Sequence, residues 1–338
     1  MNNLVSVALL PGLVAFCLGL TLPLAVRPLL HRWNLVDIPT HRSSHTEPTF
    51  RGMGLATALA ASAAFVLALL TGLIPTDRSV ALAVLGGMVL SGTLGWLEDF
   101  RGVSIKIRFL SQLLIGLLVT VTLTASLNTS IWWIPVGVFA VAAYINVVNF
   151  MDGVNGISGL HGFVVGGFYA YAGWVNQMPW LIAGGVAVAG AYLAFLPWNV
   201  RTGKNVFLGD AGSYFLGGAI AAMAVGAFLS GVYLEYLLSP VMVYLADTGF
   251  TLLSRIAKGE QWYKPHRSHV YQRLTDRGFS HLASALTVAA TTVLISVITI
   301  VALPYETQNA LWAGIAVIVI LLVYLSLPNI LAKAQKHA

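Results

Sequence analysis

The sequence has 338 residues, 58% apolar and 9% charged, with a mean hydropathy of +0.83 and a formal net charge of +6. A soluble domain carries roughly a quarter charged residues, so a water-covered globular fold is excluded and the chain reads as one all-α integral membrane domain spanning residues 1–338. The positive balance is loop charge facing membrane lipid, not a nucleic-acid footprint, and the lone Cys17 offers neither an internal disulfide nor a metal cluster.

Eleven apolar segments of helical length follow one another, at about 4–26, 54–74, 80–97, 108–125, 131–148, 158–175, 179–198, 213–233, 236–253, 283–303 and 309–330. The first has no basic residue before it and no small-residue cleavage site, so it is expected to be an uncleaved span. The connecting loops alternate between two sides. One side collects every Lys and Arg except Arg78, together with the eight histidines and all the acids but Asp77, Glu235 and Glu306. Positive charge stays cytoplasmic, which puts the N-terminus outside and the C-terminus in the cytosol. Polar chemistry gathered at one face suggests an enzyme at the cytosolic surface. A transporter of an anionic solute, the alternative, needs polar groups through the membrane's depth.

The first cytoplasmic loop carries Arg42, His45 and Arg51, an anion-facing set. Between the third and fourth segments, "LEDFRG" places Glu98 and Asp99 side by side, hard oxygen ligands suited to Mg²⁺ held partly through substrate phosphates; a solvated acidic turn beside Arg101 explains them equally well. Between the fifth and sixth lies "NFMDGVNGISG". Asp152 and Asn155 are three apart and share a face of a helical turn, while Asn149 opens the stretch. Gly153 and Gly156 let backbone approach a ligand, and a plain turn needs fewer such residues. Between the seventh and eighth, "WNVRTGKNVFLGDAGS" sets Asp210 at a helix start, where an acid either caps the helix or shares a metal with phosphates. Asp247 stands near the end of the ninth segment, an ionisable group at the membrane edge. The loop after it holds Arg255, His266, Arg267, His269 and Arg273, either a pyrophosphate clamp or a basic patch facing lipid headgroups.

These motifs, in this order, resemble the polyprenyl-phosphate N-acetylhexosamine-1-phosphate transferases, the superfamily of phospho-MurNAc-pentapeptide translocase and the GlcNAc-1-phosphate transferases. The resemblance covers about residues 30 to 280, and "RSSHTEPTFRGMG" with "HRSHVYQR" leans toward the bacterial branch that initiates O-antigen. It implies a Mg²⁺-dependent phosphoglycosyltransferase, with Mn²⁺ as a substitute, in the bacterial inner membrane. Undecaprenyl phosphate would accept the sugar 1-phosphate of a UDP-N-acetylaminosugar such as GlcNAc, FucNAc or QuiNAc, releasing UMP, and homodimers occur in the superfamily. By motif, Asp210, Asp99 and Asn155 would hold the metal, and Glu98, Asp99 and Asp152 would take part in catalysis. Asn149, Gly153 and Asn155 would meet the nucleotide sugar, Asn199 and Phe207 its uracil, and His266, Arg267 and His269 its pyrophosphate. Arg42, His45, Arg51, Arg255 and Arg273 would add cationic contacts. Two departures stand out: Glu98 replaces the first Asp of the usual acidic pair, and Asn155 replaces a second Asp of the translocases, so it is no charged ligand.

Overall fold

A computed structural model describes residues 2–37, 49–201, 206–261, 266–302 and 307–337. Arg42 and His45 lie outside the described residues. Each of the eleven apolar segments coincides with helix: α1 (Asn2–Arg32), α2 (Gly54–Leu70), α3 (Arg78–Arg101), α4 (Ile105–Leu127), α5 (Trp133–Met151), α6 (Ile157–Val175), α7 (Pro179–Asn199) and α8 (Gly209–Leu229), then the ninth segment, then α12 (His281–Ala302) and α13 (Thr307–His337). The ninth is broken rather than continuous. Pro240 lacks the N–H that a helix interior needs, so α9 (Leu234–Leu238) gives way to a 3₁₀ turn, Ser239–Val241, before α10 (Met242–Ala257). A further short helix, α11 (Val270–Thr275), lies in the basic loop. Nine spans among the described residues are long and apolar enough to cross a bilayer; α2 is a shorter apolar helix of 17 residues, and α6 falls outside the nine. The protein is an all-α multi-pass membrane protein.

The helix ends fall where the motifs put them: Glu98 and Asp99 stand in the last turn of α3, and Asp210 lies in the first turn of α8. Helix α8 is the hub: 78% of its apolar window is buried, against 6% for α13 at the periphery. Its surface of Gly and Ala lets neighbours approach to backbone distance. A Cβ at Gly95 of α3 would overlap the Asp210 carbonyl, so the α3–α8 crossing requires glycine there.

A two-residue antiparallel ladder, β1 (Val36–Asp37) with β2 (Thr49–Phe50), leads the chain into α2. The next residues hydrogen-bond to the strand-like lead into α8. Phe207 N–H donates to Phe50 O at 2.8 Å, Met53 N–H to Phe207 O at 3.1 Å and Gly54 N–H to Leu208 O at 2.7 Å. This seam brings Arg51 and Asp210 to the same end of the bundle.

Cysteine labelling in a Cys17→Ser background checks the orientation. Cysteines at Asn128 and Gly231 are expected to react from outside intact cells, and those at Gly102 and Gly259 only after permeabilisation. Reaction of both sets from one side would overturn the alternation of loops.

Candidate active site

The centre of the site is the junction of α3 and α8. Asp99 is 3% exposed, and its Oδ2 accepts the Ala211 N–H at 2.9 Å. Buried carboxylates need donors, and a helix amino end supplies N–H groups and a favourable dipole. The approach depends on Gly209, which adopts φ +74°; a Cβ there would lie 2.6 Å from Asp99 Oδ2. Asp210 is held from α5: Asn149 Nδ2 donates to Asp210 Oδ1 at 2.6 Å and lies 3.1 Å from Ser213 Oγ. Arg51 reaches in from the β2–α2 segment and donates to the Asp99 carbonyl at 3.1 Å.

Glu98 is not a second bare acid beside Asp99. Its Oε1 pairs with Arg108 Nη1 at 2.9 Å, and its Oε2 accepts the Val103 N–H at 2.5 Å. Arg108 in turn stands 3.5 Å from the Tyr214 hydroxyl on α8, so Glu98 aims a cation from α4 toward the Asp210 turn. Sequence reasoning missed Arg108; its place early in the fourth segment, ten residues after Glu98, resembles any charge at a span's end.

One helical turn beyond Asn149, Asp152 ends α5, and its Oδ1 accepts the Ser158 hydroxyl at 2.6 Å. Burial pushes the Asp152 carboxyl up to about 7; Ser158 opposes this and the charge of Asp210 adds to it. Gly153 packs against the Tyr271 hydroxyl, which donates to Phe150 O at 3.0 Å and so fixes the basic loop against this turn. His269 stacks on Tyr271, with ring centroids 5.7 Å apart, and its Nδ1 lies 3.1 Å from Asp247 Oδ1. His266 follows at 5.0 Å from His269. Burial first, then His269 and Arg255, push His266 down to about 4, so it is a neutral imidazole at pH 7.

The structure therefore gathers Asp99, Asp210, Asn149, Asp152, Arg51, His266 and His269 at one end. Other expected residues are engaged elsewhere. Both ends of the Asn199 amide hold backbone: Oδ1 accepts the Gly156 N–H at 2.5 Å and Nδ2 donates to Val206 O at 2.8 Å. For Phe207 and Asn155 it is the backbone that is engaged, Phe207 in the seam described above and the Asn155 N–H with His281 Nδ1 at 3.4 Å, which does not occupy the Asn155 side chain. Arg273 donates to Asn329 Oδ1 at 2.5 Å, and Arg255 pairs with Glu260 at 2.7 Å. Arg267 pairs with exposed Asp276 at 3.0 Å, a surface contact of small energetic value, while its charge also reaches Tyr271.

Three cationic or imidazole residues around this end carry a buried nitrogen with no hydrogen-bond partner among the described residues: Arg51 Nε, Arg255 Nε and His266 Nδ1. An orphaned guanidinium N–H such as those of Arg51 and Arg255 costs about 1–3 kcal/mol, which an anionic ligand would relieve. Among the described residues no three of His, Cys, Asp and Glu form a metal cage. Two neighbouring carboxylates, buried Asp99 and half-buried Asp210, nonetheless fit Mg²⁺, which binds through one or two carboxylates plus substrate phosphates. An apolar groove of about 440 Å³ runs between α6 and α12, lined by Phe163, Phe168, Val293, Val297 and Ile300 among others. A smaller cleft lined by Ile157, His161 and Val164 continues the same seam toward the Asp152 turn.

Acids and a histidine loop thus form a polar centre at one end of a bundle of membrane-spanning helices. Residues 81–228 match the family described as Glycosyl transferase family 4. The chain is 27% identical to a decaprenyl-phosphate N-acetylglucosaminephosphotransferase of Mycolicibacterium smegmatis, with 89% of this chain and 83% of the relative covered. It is 26% identical to a probable undecaprenyl-phosphate N-acetylglucosaminyl 1-phosphate transferase of Bacillus subtilis, covering 93% and 90%. A phospho-N-acetylmuramoyl-pentapeptide-transferase of Clostridium botulinum is 29% identical over 67% of this chain and 74% of its own. The segment 81–228 thus matches glycosyl transferase family 4, and the chain is similar along most of its length to polyprenyl-phosphate sugar-1-phosphate transferases, as its motifs imply. The family match contains Asp99, Asn149, Asp152 and Asp210 and ends before the histidine loop.

Gly209→Ala is expected to destabilise the detergent-solubilised protein by about 1–3 kcal/mol, the scale of a strained backbone position, and to disturb Asp99 directly. Gly167→Ala, where a Cβ meets nothing within 4 Å, serves as the control. Equal thermal midpoints for the two variants would refute the packing argument.

Proposed function

We propose that the chain transfers the sugar 1-phosphate of a UDP-N-acetylaminosugar, GlcNAc in the first instance, to undecaprenyl phosphate at the cytosolic face of a bacterial plasma membrane. A lipid-phosphate oxygen bonds to the phosphorus bearing the sugar, the bond from that phosphorus to the bridging oxygen breaks, and UMP leaves. The product, undecaprenyl-diphospho-sugar, would begin O-antigen or another cell-envelope glycan. The observation that carries this reading is the cationic Arg51, with a buried Nε that has no partner among the described residues, set against a centre that holds Asp99 and Asp210, with the unpartnered His266 Nδ1 in the neighbouring histidine loop. Cationic donors and acids together suit a substrate whose phosphates bind both protein cations and a metal.

Asp99 and Asp210 would hold the Mg²⁺, with Asn149 keeping Asp210 in place. The metal supplies charge neutralisation on the diphosphate. Phosphoryl transfer is mostly positioning and electrostatics, and the residues divide those tasks. Arg51 and the Glu98-aimed Arg108 face the acid pair, and His266 and His269 approach the diphosphate from the other side. Asp152, with its carboxyl near 7, is matched to accept the last proton of a lipid phosphate, whose second ionisation lies near 6. The α6–α12 groove offers an apolar path for the polyprenyl tail.

Purified protein given undecaprenyl phosphate and UDP-GlcNAc is expected to release UMP only with Mg²⁺ or Mn²⁺ present. Asp210→Asn should lower turnover by at least about a hundredfold, the scale for losing a preorganised electrostatic contact. Lys106→Ala and Lys258→Ala should remain within about twofold. Solute uptake into vesicles without UMP release would favour the transporter instead, and an Asp210→Asn variant with full activity at limiting Mg²⁺ would remove the metal role.

A further inference from the structure

Asp247 is fully buried in α10, inside a membrane-spanning segment, where an unpaired charge is costly. Its carboxylate is surrounded by donors from three elements. Tyr324 Oη of α13 donates to Oδ2 at 2.8 Å, and the Val270 N–H reaches both oxygens at 3.1 Å. His269 Nδ1 lies 3.1 Å from Oδ1, and Thr251 Oγ1 of its own helix lies 3.4 Å from it. Hydroxyl and backbone donors thus point at both oxygens, so each accepts at least one hydrogen bond. With both oxygens accepting, His269 Nδ1 is placed to donate to Oδ1, in competition with the Gln272 N–H that faces the same side chain, and Nε2 is then the nitrogen available to a ligand. Tyr271 stacks on the same ring and is pinned to Phe150, so the imidazole plane is fixed from two directions.

Helix α13 takes part although it is nearly all exposed. Besides Tyr324, its Asn329 accepts from Arg273, and Gln335 Nε2 donates to Arg277 O at 3.4 Å. Three of its polar contacts thus reach Asp247 or the histidine loop.

We propose that Asp247 is the positioning residue of His269, fixing its Nδ1–H tautomer and ring direction, and that Tyr324 braces Asp247 so that α13 holds the histidine loop in its working geometry. The role in turnover rests on the sugar-phosphate transfer proposed above; the tautomer does not. The other titratable groups around the pair are His266, Arg255, Glu260, Arg267, Tyr244, Tyr271 and Tyr324. None offers His269 Nδ1 an alternative acceptor among the printed contacts of the described residues.

The test uses full-length protein in nanodiscs, with UMP release as readout. Asp247→Asn is expected to lower kcat about 10–100-fold, the range for losing a partner that orients a functional histidine, and to move KM for UDP-GlcNAc less than about threefold. His269→Gln should lower kcat at least as far. The double variant should be no worse than His269→Gln alone, because Asp247 acts through that ring. Tyr324→Phe should cost several-fold and serves if Asp247→Asn does not fold. Losses that multiply in the double variant, or a fully active Asp247→Asn or Tyr324→Phe, would overturn the proposal. Separately, ¹⁵N spectra of histidine-labelled protein should show a protonated Nδ1 for the resonance that disappears in His269→Gln, and a change in that resonance in Asp247→Asn. A bare Nδ1 in the wild type overturns the proposal even if no UMP is ever released. Wild-type protein that releases no UMP but shows the protonated Nδ1 defeats only the proposed reaction and leaves the positioning intact.

Discussion

The site depends on one buried contact, the Asp99 carboxylate against the amino end of α8. Taking a carboxylate out of water costs several kcal/mol unless donors replace the lost hydration. Here the Ala211 N–H does so, and the helix dipole adds to it. Such a contact requires two backbones to nearly touch. Gly95 removes a side chain that would strike the Asp210 carbonyl, and Gly209 permits a left-handed turn into α8. The same closeness aligns the start of α8 with the end of α3 and so brings Asp210 beside Asp99. The composition of the hub, rich in Gly and Ala, follows from this geometry. Membrane helices gain no hydrophobic drive from meeting one another and associate by close packing instead.

Helix α5 joins the two halves of the centre. Asn149 and Asp152 lie three residues apart, about one turn. Asn149 grips Asp210, while the turn holding Asp152 receives the Tyr271 hydroxyl through Phe150 O. A shift of α5 along its axis would therefore disturb the acid pair and the histidine loop together. The Asn199 amide closes the far side of the same turn by bonding Gly156 and Val206. That is why an asparagine expected in a uracil pocket is buried in a structural role.

The residues with chemistry were legible because they break the hydrophobic pattern. An acid or histidine at the end of an apolar run needs a reason, and Asp99, Asp152, Asp210 and His269 could be named on that ground. Their partners were not legible, because nothing local marks them. Tyr324 looks like any aromatic in a long lipid-facing helix, yet it reaches Asp247 across 77 positions of sequence. Ser158 reads as one more small residue in "GISG". The basic loop misled in another way. Its arginines look alike in sequence, but Arg273 and Arg267 find acceptors on α13 and on Asp276, while Arg255 pairs with Glu260 and still keeps a buried Nε without a partner among the described residues. The break at Pro240 was hidden because 3₁₀ and α turns share the same apolar residues.

The balance of charge at this end of the bundle explains why the centre is built from both signs. Acids alone would bind a divalent cation and then repel nothing, but they would also give a diphosphate only one side to hold. Cations alone would bind anions without choosing where the metal sits. In this protein the acids occupy the α3–α8 junction, where they have backbone and Asn149 donors but no full complement of positive charge. The cations stand around them with nitrogens buried and unpaired. Each set is incompletely satisfied by the other, since Glu98 takes Arg108 and Glu260 takes Arg255. Preorganised groups of this kind reorganise little when charge develops between them, which is the condition for large electrostatic stabilisation of a transition state. The unpaired nitrogens lower the stability of the empty protein by several kcal/mol, and a ligand carrying phosphates and a metal would satisfy both sets at once.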